Sequence, residues 1–225
     1  MPYRKTLLVQ DQIYHVFNRG VAGLPIFASV KDYSRFLELV DYYRFINTPF
    51  SFSHLKKKLE EKRKKILSDL KEKDETQAEI LAYCLMNNHF HFLLKQLTKS
   101  GISSFMANLQ NGYAKYFNIK TRRAGPLFQS IFKSVRIETD EQLLHVSRYI
   151  HLNPSTGYLV DANNLHTYKW SSLSEYLGEV TNNLSFISKD MILGLIGGAD
   201  KYRQFVFDQA QYQRKLGLIK HLIIE

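Results

Sequence analysis

Apolar and polar residues alternate along QIYHVFNRG (Gln12–Gly20), which predicts a strand closed by glycine. A helical period takes over in FASVKDYSRFLELVDYYRFIN, where Tyr33, Phe36, Leu37 and Val40 fall at i, i+3, i+4 and i+7. Ser29 with Asp32 has the form of a capping box, so the helix is expected to open there. Residues 79–95 read as two strand-like pieces, EILAYCLM and HFHFLLK. Asn87-Asn88 between them reads as a turn or bulge, or as part of one long strand. Ile102, Phe105, Met106, Leu109, Tyr113, Tyr116 and Phe117 return to helical spacing over 102–117. TRRAGPLFQS is a loop broken at Gly125-Pro126, and FKSVRIE (Phe132–Glu138) alternates again as a strand. A further helix opens near Thr139 or Asp140 and is expected to end at Asn153, stopped by Pro154. GYLVDANNLHTYKWSSLSEYLG reads as turns and a short helix, and the tail from about Ser188 as two short helices around Gly197-Gly198. Strands and helices taking turns in this way predict an α+β fold, one sheet with helices packed against it.

Composition narrows the class. A chain of 225 residues has room for one sizeable core plus an appendage. At 44% hydrophobic and 13% aromatic it is not of disordered type. No apolar run approaches the ~20 residues of a membrane span, and MPYRKTLLVQDQIYHVF lacks a signal peptide's apolar region and cleavage site. The lone Cys84 precludes an intramolecular disulfide, so the expected location is cytoplasmic.

Lys and Arg outnumber Asp and Glu by 31 to 21, a net charge of +10 with a pI near 9.5. With so many aromatics, that charge favours a nucleic-acid partner. Residues 56–73 hold nine Lys/Arg and four Asp/Glu, so half the excess sits in one segment. It reads as an inserted solvated helix, or hairpin of helices, laced with pairs such as Glu60–Lys64 and Glu61–Lys65.

Two constellations carry candidate chemistry. On a strand, His89 and His91 project from one face, roughly 7 Å apart, while Phe90 and Phe92 point to the other. Neutral imidazoles on one face can share a divalent ion, although such a pair also occurs simply hydrogen-bonded on a sheet. In EQLLHVSRYIHLNP (Glu141–Pro154), Leu143, Val146 and Ile150 make an apolar stripe, and His145, Tyr149 and Asn153 a separate polar one. Tyr149 offers a phenol and Asn153 an amide oxygen one turn on. A phenol with a pKa of ~10 is a poor nucleophile unless it is activated or its target is polarised. An ion held by His89, His91 and Asn153 would polarise a phosphodiester.

These segments resemble a known family. HFHFLL is similar to the His-hydrophobe-His (HUH) motif of single-tyrosine HUH transposases, and RYIHLNP to the tyrosine helix of their REP-associated tyrosine transposase branch. YHVFNRG, YFNIKTRRAGPLFQSIFKS and YKWSSLSEYLG resemble that branch in the same order, over roughly residues 8–178. The resemblance implies a ferredoxin-like antiparallel sheet with the histidine pair at its centre. It implies cleavage and rejoining of single-stranded, hairpin-containing DNA through a covalent 5′-phosphotyrosine, in support of transposition. By motif, Tyr149 is the nucleophile, His89, His91 and Asn153 the metal ligands, and Mg²⁺ or Mn²⁺ the ion. His151 lies about 200° around the helix from Tyr149 and reads as structural or capping.

The expected domains are a transposase unit over 1–180, with 54–75 as its charged insertion, and a helical C-terminal extension over 181–225. Arg122, Arg123, Lys133, Arg136 and Arg19 are candidates for DNA phosphates, and Phe128 or Tyr116 for stacking on a base, although Phe128 and Phe132 equally suit a core. Asn18 and Arg19 either lie near the site or hold a turn. Monomer and homodimer both stay open. The alternative function is a non-catalytic DNA-hairpin binder derived from a transposase; a third reading, an HUH nuclease of replication or conjugation, is less expected because those often carry additional large domains and 225 residues are too few for most of them.

Overall fold

The computed structural model describes residues 6–179 and 186–208. At its centre lies a four-stranded antiparallel sheet in the order β2-β3-β1-β4, formed by β1 (Ile13–Arg19), β2 (Ala78–Met86), β3 (His89–Gln96) and β4 (Lys133–Ile137). Helix α1 (Val30–Tyr43) lies between β1 and β2, and α4 (Gly101–Thr121) between β3 and β4. The resulting βαββαβ path with this strand order is ferredoxin-like, in line with the α+β expectation. The charged segment is a pair of helices, α2 (Phe52–Lys56) and α3 (Glu60–Lys73), inserted between α1 and β2. Helix α3 rests on the core through Ile66, Leu67 and Leu70, while Glu60 and Lys64 pair at 2.8 Å on its exposed side.

The alternation along β1 and β3 separates two environments. Tyr14 and Val16 of β1, with Phe90, Phe92 and Leu94 of β3, enter a core shared with Phe36 of α1 and with Phe105 and Tyr113 of α4. His15, Phe17 and Arg19, with His89, His91 and Leu93, take the opposite side. That side is partly roofed by α5 (Asp140–Thr156), which buries Leu143, Ile150 and Leu152 against Leu81, Ala82 and Leu93. Helices α6 (Leu173–Tyr176) and α7 (Asp190–Ile196), with the helical residues 199–208, complete this second core through Tyr176, Ile192, Tyr202 and Val206.

Asn87 and Asn88 form a two-residue turn between β2 and β3, and neither adopts the positive φ of the turns usually found there. External partners hold the turn instead. The Asn87 carbonyl accepts from the backbone N–H groups of Ile26 and Phe27 at 2.9 and 3.0 Å, and Asn88 Nδ2 donates to the Gly23 carbonyl at 3.0 Å. The loop comes this close because Gly20 has no side chain, since a Cβ there would stand 2.2 Å from the Leu24 carbonyl oxygen.

Two helix ends differ from expectation. Helix α5 runs past Pro154 to Thr156. Proline lacks the N–H that would reach the Ile150 carbonyl; the Asn153 side-chain amide donates there at 3.4 Å and to the Tyr149 carbonyl at 2.8 Å. At α1 the capping box does not close on either backbone N–H it requires. Asp32 accepts from the Ser29 hydroxyl at 2.9 Å and the Ala28 N–H at 3.1 Å, while Ser29 caps no backbone group. Asp32 instead takes Lys120 of α4 at 2.6 Å and the Tyr116 hydroxyl at 3.0 Å, tying the start of α1 to the end of α4.

Candidate active site

Helix α5 is set at both its start and its back. Thr139 Oγ1 accepts from the Gln142 N–H at 3.1 Å, which satisfies a free donor of the first turn, and Gln142 Oε1 accepts from the N–H of Glu138, just before the cap, at 2.9 Å. On its back, Ser147 Oγ accepts from the Tyr202 hydroxyl at 3.0 Å, and Arg148 donates to the Phe205 carbonyl at 3.2 Å. The fully buried His151 joins Tyr202 Oη at 2.7 Å and Ser172 Oγ at 2.8 Å, a structural role. His145, from the polar stripe, bonds Arg148 at 2.8 Å and packs on Phe205. With these side chains anchored behind, Tyr149 faces the imidazole side of the sheet.

There the phenol ring lies edge-on to His91, with centroids 5.6 Å apart, and to His15 at 5.9 Å. The His89 and His91 rings are 5.1 Å apart and nearly perpendicular. Asn153 sits one turn beyond Tyr149, buried, with its Nδ2 bonded to the Tyr149 carbonyl at 2.8 Å, and its amide acts on the ionisation of both the His89 ring and the Tyr149 phenol. Tyr149, His89, His91 and Asn153, separated by up to 64 positions in sequence, thus meet within one chain.

Burial sets the electrostatics of the group. It lowers His89 to about 4, with the Arg19 charge adding to the effect and Asn153 partly opposing it. It lowers His15 to about 4, and His91 well below the ordinary imidazole value, with His15 and His89 contributing further. All three imidazoles are therefore neutral near pH 7, the state a metal ligand requires. Burial raises the Tyr149 phenol above its ordinary value, while the Asn153 amide pulls it part of the way back. Tyr149 as a residue is nonetheless 42% exposed.

A cavity of about 340 Å³ adjoins the pair and is lined by Phe17, Arg19, His89, His91, Gln129 and Lys133. Of the candidate phosphate contacts, Arg19 and Lys133 thus stand at the imidazoles. Arg122 and Arg123 sit at the end of α4, with Arg123 bonded to the Pro126 carbonyl at 2.8 Å. Arg136 pairs across from Tyr14, on the other side of the sheet, and bonds Gln12 Oε1 at 2.7 Å. Phe128 and Phe132 are core residues. Asn18 holds the strand end, donating to the Ser130 carbonyl at 3.0 Å and accepting from the Arg19 N–H at 2.8 Å.

His15 escaped the sequence reading. Its signal was the alternation in QIYHVFNRG, which places His15, Phe17 and Arg19 on one face; that this face adjoins the histidine pair depends on β1 lying beside β3.

The chemistry of the donor set fits a divalent ion. Among the described residues no cluster of three or more His, Cys, Asp or Glu is placed to hold a metal. The available donors are two neutral imidazoles and one amide oxygen, and phosphate oxygens of a bound strand would complete them. Mixed nitrogen and oxygen donors suit Mn²⁺ better than Mg²⁺, which favours oxygen alone.

The family model for IS200-like transposases matches residues 41–153, half of the chain, a span that includes His89, His91, Tyr149 and Asn153. In fold the chain is similar to a solved REP-associated tyrosine transposase bound to a REP hairpin. The TM-score is 0.52, with 84% of this chain and 98% of that one covered, at 12% identity. No curated protein matches it. Among the described residues no helix is long and apolar enough to cross a membrane. The sheet, the strand-borne histidines and the family match lead to one assignment: the chain belongs to the IS200-like transposase family.

Proposed function

We propose that this chain is a transposase that cuts and rejoins single-stranded, hairpin-containing DNA, with Tyr149 as its nucleophile. The observation that carries this reading is the approach of Tyr149 to the His89/His91 pair within one chain. The hairpin-bound state of the similar solved structure supports the choice of substrate. Arg19 and Lys133 hold phosphates on the floor of the cavity, and Asn153 favours ionisation of the phenol. The Tyr149 oxygen attacks a phosphodiester phosphorus. A P–O bond forms to tyrosine, the bond to the 3′ oxygen breaks, and that oxygen leaves as a 3′-OH. The strand beyond the cut stays attached by its 5′ phosphate. Reversal by an incoming 3′-OH restores a phosphodiester, with the bond energy retained throughout. His89, His91 and Asn153 would hold Mn²⁺ or Mg²⁺, whose charge polarises the phosphate.

Incubation of the protein with labelled hairpin DNA and Mn²⁺ is expected to give a covalent adduct that EDTA prevents and that Tyr149→Phe does not form. Binding without cleavage by the unaltered chain would instead favour a non-catalytic hairpin binder.

A further inference from the structure

We propose that His15 is a positioning residue that holds the His91 imidazole in the tautomer able to ligate a metal ion. The inference rests on the reading of His89 and His91 as ligands and concerns how their rings are prepared.

His15 Nε2 stands 2.9 Å from His91 Nδ1, with the two rings within 19° of parallel. Two nitrogens at that distance share one proton, so one ring donates and the other accepts. If His15 donated, the proton of a neutral His91 would sit on Nε2 and its lone pair on Nδ1, already engaged. No nitrogen of His91 would then be open to an ion. If His91 donates from Nδ1, its Nε2 keeps a free lone pair. Only this second arrangement is compatible with ligation.

The neighbouring ring shows the same construction. His89 Nδ1 lies 2.7 Å from Asn88 Oδ1. The Asn88 amide is oriented by the bond from its Nδ2 to the Gly23 carbonyl at 3.0 Å, so its oxygen faces His89 and can only accept. His89 therefore donates from Nδ1 and keeps its lone pair on Nε2. Both rings are secured at Nδ1, one by an amide oxygen and one by an imidazole, and both leave Nε2 available. Outer partners of this kind set the tautomer and angle of metal-binding histidines.

His15 is not itself a third ligand. Its Nε2 addresses His91 Nδ1, the nitrogen not used for the ion, and no three-residue cluster of His, Cys, Asp or Glu here is placed to hold a metal among the described residues.

The test begins without metal or DNA. Long-range ¹H–¹⁵N spectra of the full chain, labelled at histidine, are expected to place the His91 proton on Nδ1; a proton on Nε2 in the unaltered protein overturns the proposal. Mn²⁺ affinity of the DNA-free protein, read from the electron-paramagnetic signal of the free ion, supplies the second readout. His15→Phe should weaken it about 10–100-fold, the usual effect of losing an outer-shell partner. His15→Gln, whose amide oxygen can accept the same proton, should recover most of that loss. His89→Ala serves as the control for the ligand reading. If it abolishes Mn²⁺ binding while His15→Phe leaves affinity and tautomer unchanged, the role of His15 is refuted and the ligand reading survives. If His89→Ala leaves Mn²⁺ binding unchanged, both fall.

Discussion

The two sides of the sheet are built from alternate residues of the same strands, yet they are finished differently. Under α1 and α4, Phe36, Phe90, Phe92, Phe105 and Tyr113 are fully buried, and the face is closed by apolar packing with the Asp32–Lys120 pair at its edge. On the other side α5 packs mainly on β2 and β3 and leaves His15, Phe17, His89 and Tyr149 at a partly open margin beside the cavity. The closed face supplies cohesion, and that allows the open face to bury imidazoles whose ionisation is penalised. Polar groups there are tied up by specific partners: Asn88 for His89, His15 for His91. The stability of this fold and the chemistry of its site are thus divided between residues i and i+1 of a single strand.

The sharpest way to break that division is to substitute neighbours. Phe92→Ala should cost about 3–5 kcal/mol, the usual range for emptying a buried aromatic site, whereas His89→Ala should cost less than about 1 kcal/mol. Urea unfolding measures both, and comparable losses would contradict the division. Next in size is His151→Ala, which strips Tyr202 and Ser172 of a buried partner and should cost about 2–4 kcal/mol. DNA cleavage should decline with it, because α5 loses its anchor.

Acidity offers a smaller perturbation. His15 and His89 titrate near 4 and His151 near 3 when folded, against about 6.5 for an exposed imidazole. Between these values the unfolded chain binds more protons. Stability is therefore fully present above about pH 6.5 and falls as pH drops toward 4. The melting temperature should decrease across that window; a flat profile would mean that these rings are not held neutral. The smallest effect concerns the cavity. Lys133→Ala should reduce the salt dependence of DNA binding by about one unit of slope, while Arg136→Ala, on the far side of the sheet, should leave it unchanged.

Much of this arrangement was legible in the chain itself. Alternation and helical spacing located all four strands and the helices that carry the two cores, and the HFHF and RYIHLNP segments pointed to His89, His91, Tyr149 and Asn153. What escaped depends on contacts distant in sequence. Pro154 reads as a helix stop, but the Asn153 amide supplies the donor that proline lacks. Arg122, Arg123, Lys133 and Arg136 look alike as basic residues near a loop, yet only Lys133 falls in register with Phe17 on the imidazole face. The partners of His151, Tyr202 and Ser172, stand 51 and 21 residues away, at spacings with no local pattern.

The central claim is that Tyr149 becomes covalently joined to DNA. Its most direct test is mass spectrometry of the protease-digested adduct formed with hairpin DNA labelled at its 3′ end. The account predicts that the label stays with the protein and that a 5′-linked nucleotide phosphate maps to Tyr149. Attachment at Tyr113, Tyr116 or Tyr158, or release of the labelled strand with no covalent link, would contradict it.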